Sequence, residues 1–99
     1  MTELTAFQRD CLRGIAVLNK THGLGLKEWL ESETEHGKGG SVHHGRLYPN
    51  LGKLVTMGLV NKSERDKRTN EYRLSTRGQT EVEYYADEWT AAVSAINDE

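Results

Sequence analysis

The sequence predicts a mainly helical domain that carries one small β-hairpin and ends in a long C-terminal helix. Three observations lead to this fold class. Apolar residues recur at three- and four-residue steps in four separate segments, which is the period of an amphipathic helix. Between the third and fourth segments, polar and apolar residues alternate on either side of a charged turn, as they do in a hairpin. At 99 residues, the chain has room for one hydrophobic core.

Two helices are predicted in the first third of the chain. Thr5 and Gln8 have the spacing of a capping box, and the apolar stripe of the first helix follows them. Thr21-His22-Gly23 then interrupts the pattern. The second helix is predicted from about Leu24 to Glu33, and its buried side consists of Leu26 and Leu30, with Trp29 at the edge.

The third helix is predicted to follow a loose connection. The segment Glu35–Ser41 has three glycines in four positions, so we expect a flexible loop there. The helix runs from about His43 or His44 to Met57 and ends at Gly58, a typical C′ residue. Pro49 is close enough to the start of the helix to be tolerated. The buried stripe consists of Leu47, Leu51 and Leu54.

The hairpin and the last helix complete the predicted fold. Two strands are expected over Leu59–Glu64 and Asn70–Ser75. Thr76 and Gln79 repeat the capping-box spacing, so we expect Thr76 to cap the last helix. The apolar positions of this helix have the spacing of a coiled-coil seam, which predicts a dimer interface made of Val82, Ala86, Trp89, Val93 and Ile96, flanked by Tyr85.

The charge of the chain is divided between two regions. The formal net charge is only -2, which by itself argues against a nucleic-acid partner. However, residues 36–79 contain nine Lys or Arg and three acids, a net charge of +6, and the remaining residues have a net charge of -8. Such a division gives the domain one surface suited to a polyanion and another that repels it.

Several other classes of protein are disfavoured by the sequence. The chain has one cysteine, Cys11, so no internal disulfide is expected, and no apolar run approaches the length of a membrane span. The N-terminus lacks the pattern of a secretory signal, which predicts a cytoplasmic, nucleoid-associated protein. We find no nucleophile elbow, phosphate loop or zinc-ligand spacing, so we expect neither an enzyme nor a cofactor. His43 and His44 are adjacent and point in different directions, which disfavours a metal site.

Three helices, a hairpin and a final helix are the elements of a winged helix-turn-helix domain, in which the third helix enters the major groove of DNA. The predicted base-contacting residues are on this helix, and they are His43, His44, Arg46, Asn50 and Lys53. The hairpin, or wing, carries residue types that contact phosphates. Together with Tyr48 on the third helix, these predicted phosphate contacts are Arg65, Lys67, Arg68, Thr69 and Asn70.

The motifs of this region resemble those of the PadR-like transcriptional regulators. The segment Gly45–Leu51, continued by Leu54 and Gly58-Leu59-Val60, is similar to the third-helix signature of the family. Arg68–Ser75 with Gly78 is similar to its wing, and His22-Gly23 to its turn before the second helix. The resemblance implies a homodimeric DNA-binding regulator, usually a repressor, of the short subfamily with one C-terminal helix. The sequence of residues 47–51 is most similar to that of archaeal members of the family.

From these observations we expect residues 1–75 to form the DNA-binding domain and residues 76–99 the dimerisation helix, in one compact unit. The partner would be a palindromic operator whose half-sites are about one helical turn, ~10 bp, or a multiple of it apart. The alternative is a winged-helix module that binds a partner protein and no DNA.

Individual residues also have alternative roles. A tyrosine at position 48 is more often structural than a phosphate contact. Trp89 belongs either to the dimer seam or, paired with Tyr85 side chains from two subunits, to a flat apolar slot for a small aromatic effector. We expect Trp29 to pack against the last helix. Cys11 is either a redox switch or a small core residue, and the second role is the commoner one for a buried thiol.

Overall fold

Four helices and one hairpin follow each other along the chain in the computed structural model, which describes residues 3–98. The predicted fold class, a mainly helical winged helix-turn-helix with a long C-terminal helix, is confirmed. The elements are α1 (Ala6–Leu18), α2 (Gly23–Glu33), α3 (His44–Thr56), β1 (Val60–Glu64), β2 (Asn70–Leu74) and α4 (Thr76–Asn97). None of the helices within residues 3–98 is both long enough and apolar enough to cross a membrane.

Side chains that precede α1 and α2 fix where these helices begin. The Gln8 N–H donates to Thr5 Oγ1 over 3.1 Å, and the Thr5 N–H donates to Gln8 Oε1 over 3.0 Å, which confirms the predicted capping box. The start of α2 is held by His22, whose Nδ1 accepts the Gly25 N–H over 2.9 Å. The sequence prediction placed this start one residue later, because histidine is not a common cap.

The connection between α2 and α3 is more ordered than its glycines suggested. Glu35–Gly37 forms a 3₁₀ turn, in which His36 Nε2 lies 2.7 Å from Asp10 Oδ2 of α1. The His36 ring also meets the Phe7 ring edge-on, and Gly37 packs so closely on the Glu31 backbone that a Cβ would not fit. The prediction of a loose segment is therefore wrong for this first half, because contacts with α1 and α2 order it.

The hairpin is joined to the first loop of the chain. β1 and β2 pair antiparallel, in a register that runs from Val60 opposite Leu74 to Glu64 opposite Asn70. Thr21, between α1 and α2, exchanges two backbone hydrogen bonds with Tyr72 of β2, of 3.0 and 2.7 Å. These bonds tie the start of α2 to the wing, a link that sequence patterns did not indicate.

The hydrophobic core lies between α1, α2, α3 and the base of the hairpin. The predicted stripes of α2 and α3 are fully buried, and they meet the buried face of α1. Trp29 was predicted to pack on the last helix, but its indole lies against Gly14 of α1 and below the Arg13 guanidinium, 4.9 Å from the ring centre. The largest fully buried side chains are Leu12, Ile15, Leu26, Leu30, Leu47, Leu51, Leu54 and Leu59.

The Cys11 thiol is buried in this core and is expected to be unreactive. Burial first, and then the nearby Asp10 carboxylate, raise the pKa of Cys11 to about 12. Because the thiolate is the reactive form, we expect the native protein at pH 8 not to react with Ellman's reagent, whereas the chain unfolded in guanidinium reacts fully. Complete labelling of the native protein within minutes would contradict this expectation and would revive the hypothesis of a redox switch.

α4 begins at a different cap from the predicted one. The cap is Ser75, whose hydroxyl accepts the Gly78 N–H over 2.9 Å and donates to the Gly58 carbonyl over 2.6 Å. The predicted pair of Thr76 and Gln79 is therefore wrong as a capping box. Only the first half of α4 packs on the domain, since residues 86–98 are all exposed.

Candidate nucleic-acid interface

A cleft of about 270 Å³ lies where α2, α3 and the wing meet. The α2 side contributes His22, Gly23 and Leu24, and the Tyr48 ring from α3 packs directly on the Gly23 backbone. The wing side contributes Arg68, Thr69, Asn70 and Tyr72. The cleft thus brings together four of the residues that the sequence analysis assigned to phosphate contacts: Tyr48, Arg68, Thr69 and Asn70.

The groups around this cleft are mainly hydrogen-bond donors. The first turn of a helix leaves its N–H groups without intrahelical partners, and the helix dipole adds partial positive charge there. In α2 this turn begins at Gly23, at the wall of the cleft. Burial, followed by the neighbouring Tyr48 hydroxyl, raises the pKa of Tyr72 above the ordinary value, at which a phenol is already a protonated donor at neutral pH. These donors, with the Arg68 guanidinium, form an environment that favours an anion.

The tip of the wing is closed by a carboxylate. Asp66 Oδ1 accepts the N–H groups of Arg68 and Thr69, over 2.8 and 2.9 Å. The hydrogen bond from Arg68 is the main reason why the pKa of Asp66 is lowered. The basic side chains of the tip are all exposed, and they are Arg65, Lys67 and Arg68. The tip therefore presents three cations from a turn that a backbone-bonded acid holds in shape.

On α3, the two side chains best suited to reading bases face α1. The Arg46 guanidinium lies over the Phe7 ring, 4.1 Å from its centre. Asn50 Oδ1 accepts from Gln8 Nε2 over 3.0 Å, and Asn50 Nδ2 donates to the Arg46 carbonyl over 2.7 Å. The structure therefore places Arg46 and Asn50 on the flank of α3 that contacts α1, away from the face opposite the core.

The face opposite the buried leucines carries residues that the sequence analysis did not select. Gly45, Pro49, Gly52 and Thr56 follow each other at steps of four, three and four, and all four are exposed. The space in front of Gly45 and Gly52 is open. The period of this face is visible in the sequence, but glycine and proline do not have the side-chain hydrogen-bonding groups by which residue type indicates a base contact.

The remaining predicted residues of α3 are divided between the two flanks. Lys53 is exposed, beside the outward face. The His44 ring stacks on Tyr48 with 5.6 Å between the ring centres. His43 occupies the N-cap position, but its side chain makes no capping hydrogen bond.

A second cleft, of about 280 Å³, lies between α1 and α4 and is lined mainly by apolar surface. Of the predicted dimer residues, Val82 and Tyr85 are partly buried against the core of their own chain. The others continue the seam along the exposed half of α4, where Trp89 is 75%, Val93 52% and Ile96 73% exposed. The cleft is lined by Arg9, Asp10, Leu12, Arg13, Val82, Tyr85, Ala86 and Trp89.

In the part of the chain that the structure describes, residues 3–98, no three His, Cys, Asp or Glu side chains are grouped closely enough to hold a metal ion.

Comparisons with known proteins agree with this architecture. The family model described as the transcriptional regulator PadR-like family matches residues 13–84 of the chain. A search of curated protein sequences finds no match.

Several solved structures are similar to this chain. RosR of H. salinarum is 47% identical, with a TM-score of 0.76, over 91% of this chain and 76% of RosR. A cysteine-to-serine mutant of E. coli MarR, solved with operator DNA, is 27% identical with a TM-score of 0.67, over 83% of this chain and 53% of MarR. A PadR family regulator from Clostridium difficile shares the fold, with 16% identity and a TM-score of 0.68, over 91% of this chain and 95% of that one.

Proposed function

The chain belongs to the PadR-like family of transcriptional regulators, and we propose that it binds double-stranded operator DNA as a homodimer. The observation that carries this proposal is the donor-rich cleft between the start of α2, Tyr48 and the wing. The proposal is supported by the resemblance to MarR, which was solved with operator DNA. The members of this family are transcriptional regulators and not enzymes.

The cleft and the wing supply the phosphate contacts in this proposal. One DNA phosphate sits at the start of α2, where it accepts hydrogen bonds from backbone N–H groups, Tyr48 and Arg68. A neighbouring phosphate meets Lys67 and Arg65 at the tip of the wing. Because such contacts release counterions, binding weakens steeply as the salt concentration rises.

The recognition helix α3 lies in the major groove, with its face of Gly45, Pro49, Gly52 and Thr56 toward the bases. We assign DNA binding to the elements up to residue 75 and dimerisation to the helix from Thr76 onward. Two copies related by a two-fold axis then present two α3 helices to a palindromic operator, with half-sites about one helical turn apart. A dimer bound at such a site excludes other proteins from that DNA, which is the basis for proposing a repressor.

The homodimer is supported by the exposed half of α4. Trp89, Val93 and Ile96 line one side of this half, and all three remain largely exposed within the described chain. Large apolar side chains in a row on an exposed helix are the usual mark of a protein interface. A second copy of the same helix covers them in an isologous contact.

A second candidate function is the sensing of a small aromatic molecule, and the cleft between α1 and α4 favours it. Tyr85 and Trp89 give this cleft aromatic walls, and the Arg9 guanidinium lies 5.6 Å from the centre of the Tyr85 ring. Such a ligand adds regulation to DNA binding and does not replace it. The protein-interaction module remains the alternative of a different class.

The test is selection of bound sequences from random duplex DNA by the wild-type chain, repeated at several salt concentrations. We expect enrichment of a palindrome and a negative slope of log affinity against log salt. Failure to enrich any sequence, with no dependence on salt, would favour the protein-interaction module.

A wing variant gives this test a residue-specific reading. Lys67→Ala is expected to weaken binding to all sequences alike and to flatten the salt slope by about one unit, because one phosphate contact is lost. Lys38→Ala is the matched control, since it removes the same exposed charge from the loop that follows the 3₁₀ turn. An unchanged slope for Lys67→Ala would remove the wing from the interface.

A further inference from the structure

The flank of α3 that faces α1 carries the two side chains best suited to reading bases, the exposed Arg46 and the half-buried Asn50. An asparagine reads adenine with its amide oxygen and its NH₂ group together, and an arginine reads guanine with two N–H groups. In this chain each end of the Asn50 amide already makes one hydrogen bond, from Gln8 Nε2 and to the Arg46 carbonyl, and the two bonds fix its orientation. The Arg46 guanidinium is stacked on Phe7.

Releasing Asn50 has a consequence inside the protein. Gln8 is only 5% exposed, and its Oε1 already accepts the Thr5 N–H in the capping box. If Asn50 turned toward a base, Gln8 Nε2 would lose its partner in a nearly buried position. An unsatisfied buried donor costs about as much as one bidentate base contact supplies, so the exchange gives little net discrimination.

The two elements proposed to bind phosphates are fixed to each other. The two backbone hydrogen bonds between Thr21 and Tyr72 join the residue before the α2 cap to the wing. Asp66 closes the wing tip, and Tyr48 of α3 packs on Gly23 at the start of α2. The start of α2, α3 and the wing thus form one unit, which fits only those duplexes whose phosphates have a matching separation across the groove.

We propose that this chain selects its operator by the shape and deformability of the duplex, without base-edge hydrogen bonds from Arg46 or Asn50. The inference rests on the proposed DNA binding and specifies how the operator is chosen. Arg46 and Asn50 act as positioning residues that hold α3 against α1. Because the phosphate contacts are fixed, a duplex whose groove width does not match them must be deformed before it binds, and its affinity is lower. This is indirect readout.

The experiment uses the wild-type chain and the operator obtained by selection. In one series each purine is replaced in turn by its 7-deaza analogue, which removes the major-groove N7 acceptor and leaves base pairing intact. In the other, guanine is replaced by hypoxanthine and adenine by 2,6-diaminopurine, which changes groove width and stiffness through the minor-groove amino group. The exchanges of the second series are made only at base pairs that a hydroxyl-radical footprint shows to be accessible, so that the altered amino group does not touch the protein.

We expect each 7-deaza purine to change the affinity by about twofold or less, and at least one exchange of the amino group to change it by about tenfold or more. If the largest loss comes instead from a 7-deaza purine, the inference is overturned while DNA binding stands. If no duplex is enriched in the selection, both the inference and the proposed function fail.

Two protein variants give an independent measurement. Arg46→Ala and Asn50→Ala are expected to lower the affinity for the operator and for every single-base variant of it by a common factor. The order of preference among the four bases at each position stays unchanged, because these variants loosen the placement of α3 and remove no contact with a base. A relaxed preference at one base pair in either variant would show that the side chain reads that base, and would overturn the inference.

Discussion

A chain carrying Val93→Glu is expected to be monomeric and to bind a two-half-site operator at least about 100-fold more weakly than the wild type. Val93 lies between Trp89 and Ile96 on the exposed apolar side of α4, and a second copy of this helix is proposed to cover it. A glutamate there places a carboxylate in the apolar seam, where covering it with a second helix would remove the charge from water. Because the second half-site is then no longer bound from the same complex, the gain from linking the two sites is lost.

The matched control is Ala91→Glu. Ala91 is exposed and lies about half a turn away from the seam, so this variant introduces the same charge on the opposite side of the helix. We expect it to remain dimeric. Sedimentation measures the oligomeric state, circular dichroism shows that both variants keep their helices, and gel shifts with one and two half-sites measure binding. A Val93→Glu chain that is still dimeric at micromolar concentration would show that the seam is not the interface.

Much of the fold could be predicted because its signals are local. The Thr5–Gln8 capping box, the leucines of α3 and the terminating Gly58 all act within one or two helical turns. Gly58 does adopt the left-handed conformation, with a φ of 78°, that its position after α3 required. Features of this kind depend on sequence neighbours, so a pattern in the sequence is enough to identify them.

Errors arose where a distant contact decided between two local choices. Ser75 and Thr76 are both acceptable caps, and Ser75 is selected because its N–H donates to the Leu59 carbonyl and its hydroxyl to the Gly58 carbonyl. The loop after α2 is ordered by His36, whose partner Asp10 lies 26 positions earlier in the chain. No periodicity in the sequence encodes such a pairing.

In the candidate site too, residue type could be predicted from the sequence, whereas the direction of a side chain depends on distant contacts. Composition identified the wing cations and Tyr48 as phosphate-contacting types, and the structure does bring Tyr48, Arg68, Thr69 and Asn70 to one cleft. The direction of Arg46 and Asn50 depends on Phe7 and Gln8 of another helix. Residue type alone therefore could not indicate that these two side chains pack toward α1.

The second large effect is expected from Gly78→Ala. Gly78 lies in the first turn of α4 and is buried against the start of the hairpin, so that a Cβ would overlap the carbonyl oxygen of Leu59. That carbonyl also accepts the Ser75 N–H over 3.0 Å, so it cannot move without breaking the bond. We expect the free energy of unfolding to fall by about 3 kcal/mol, because overpacking against backbone leaves no side chain to adjust. For a domain of this size, the unfolding midpoint then drops by roughly 12–24 °C.

Gly52→Ala makes the same substitution where nothing obstructs it. Gly52 is inside α3, and the space in front of it is open. Because alanine favours the helix more than glycine, we expect this variant to be more stable by about 1 kcal/mol. Thermal unfolding followed by circular dichroism compares the two at one protein concentration, since a dimer's midpoint depends on concentration. A Gly78→Ala midpoint within a few degrees of the wild type would show that α4 can lift from Leu59 at little cost. The helix proposed for dimerisation would then not be rigidly joined to the elements proposed for DNA binding.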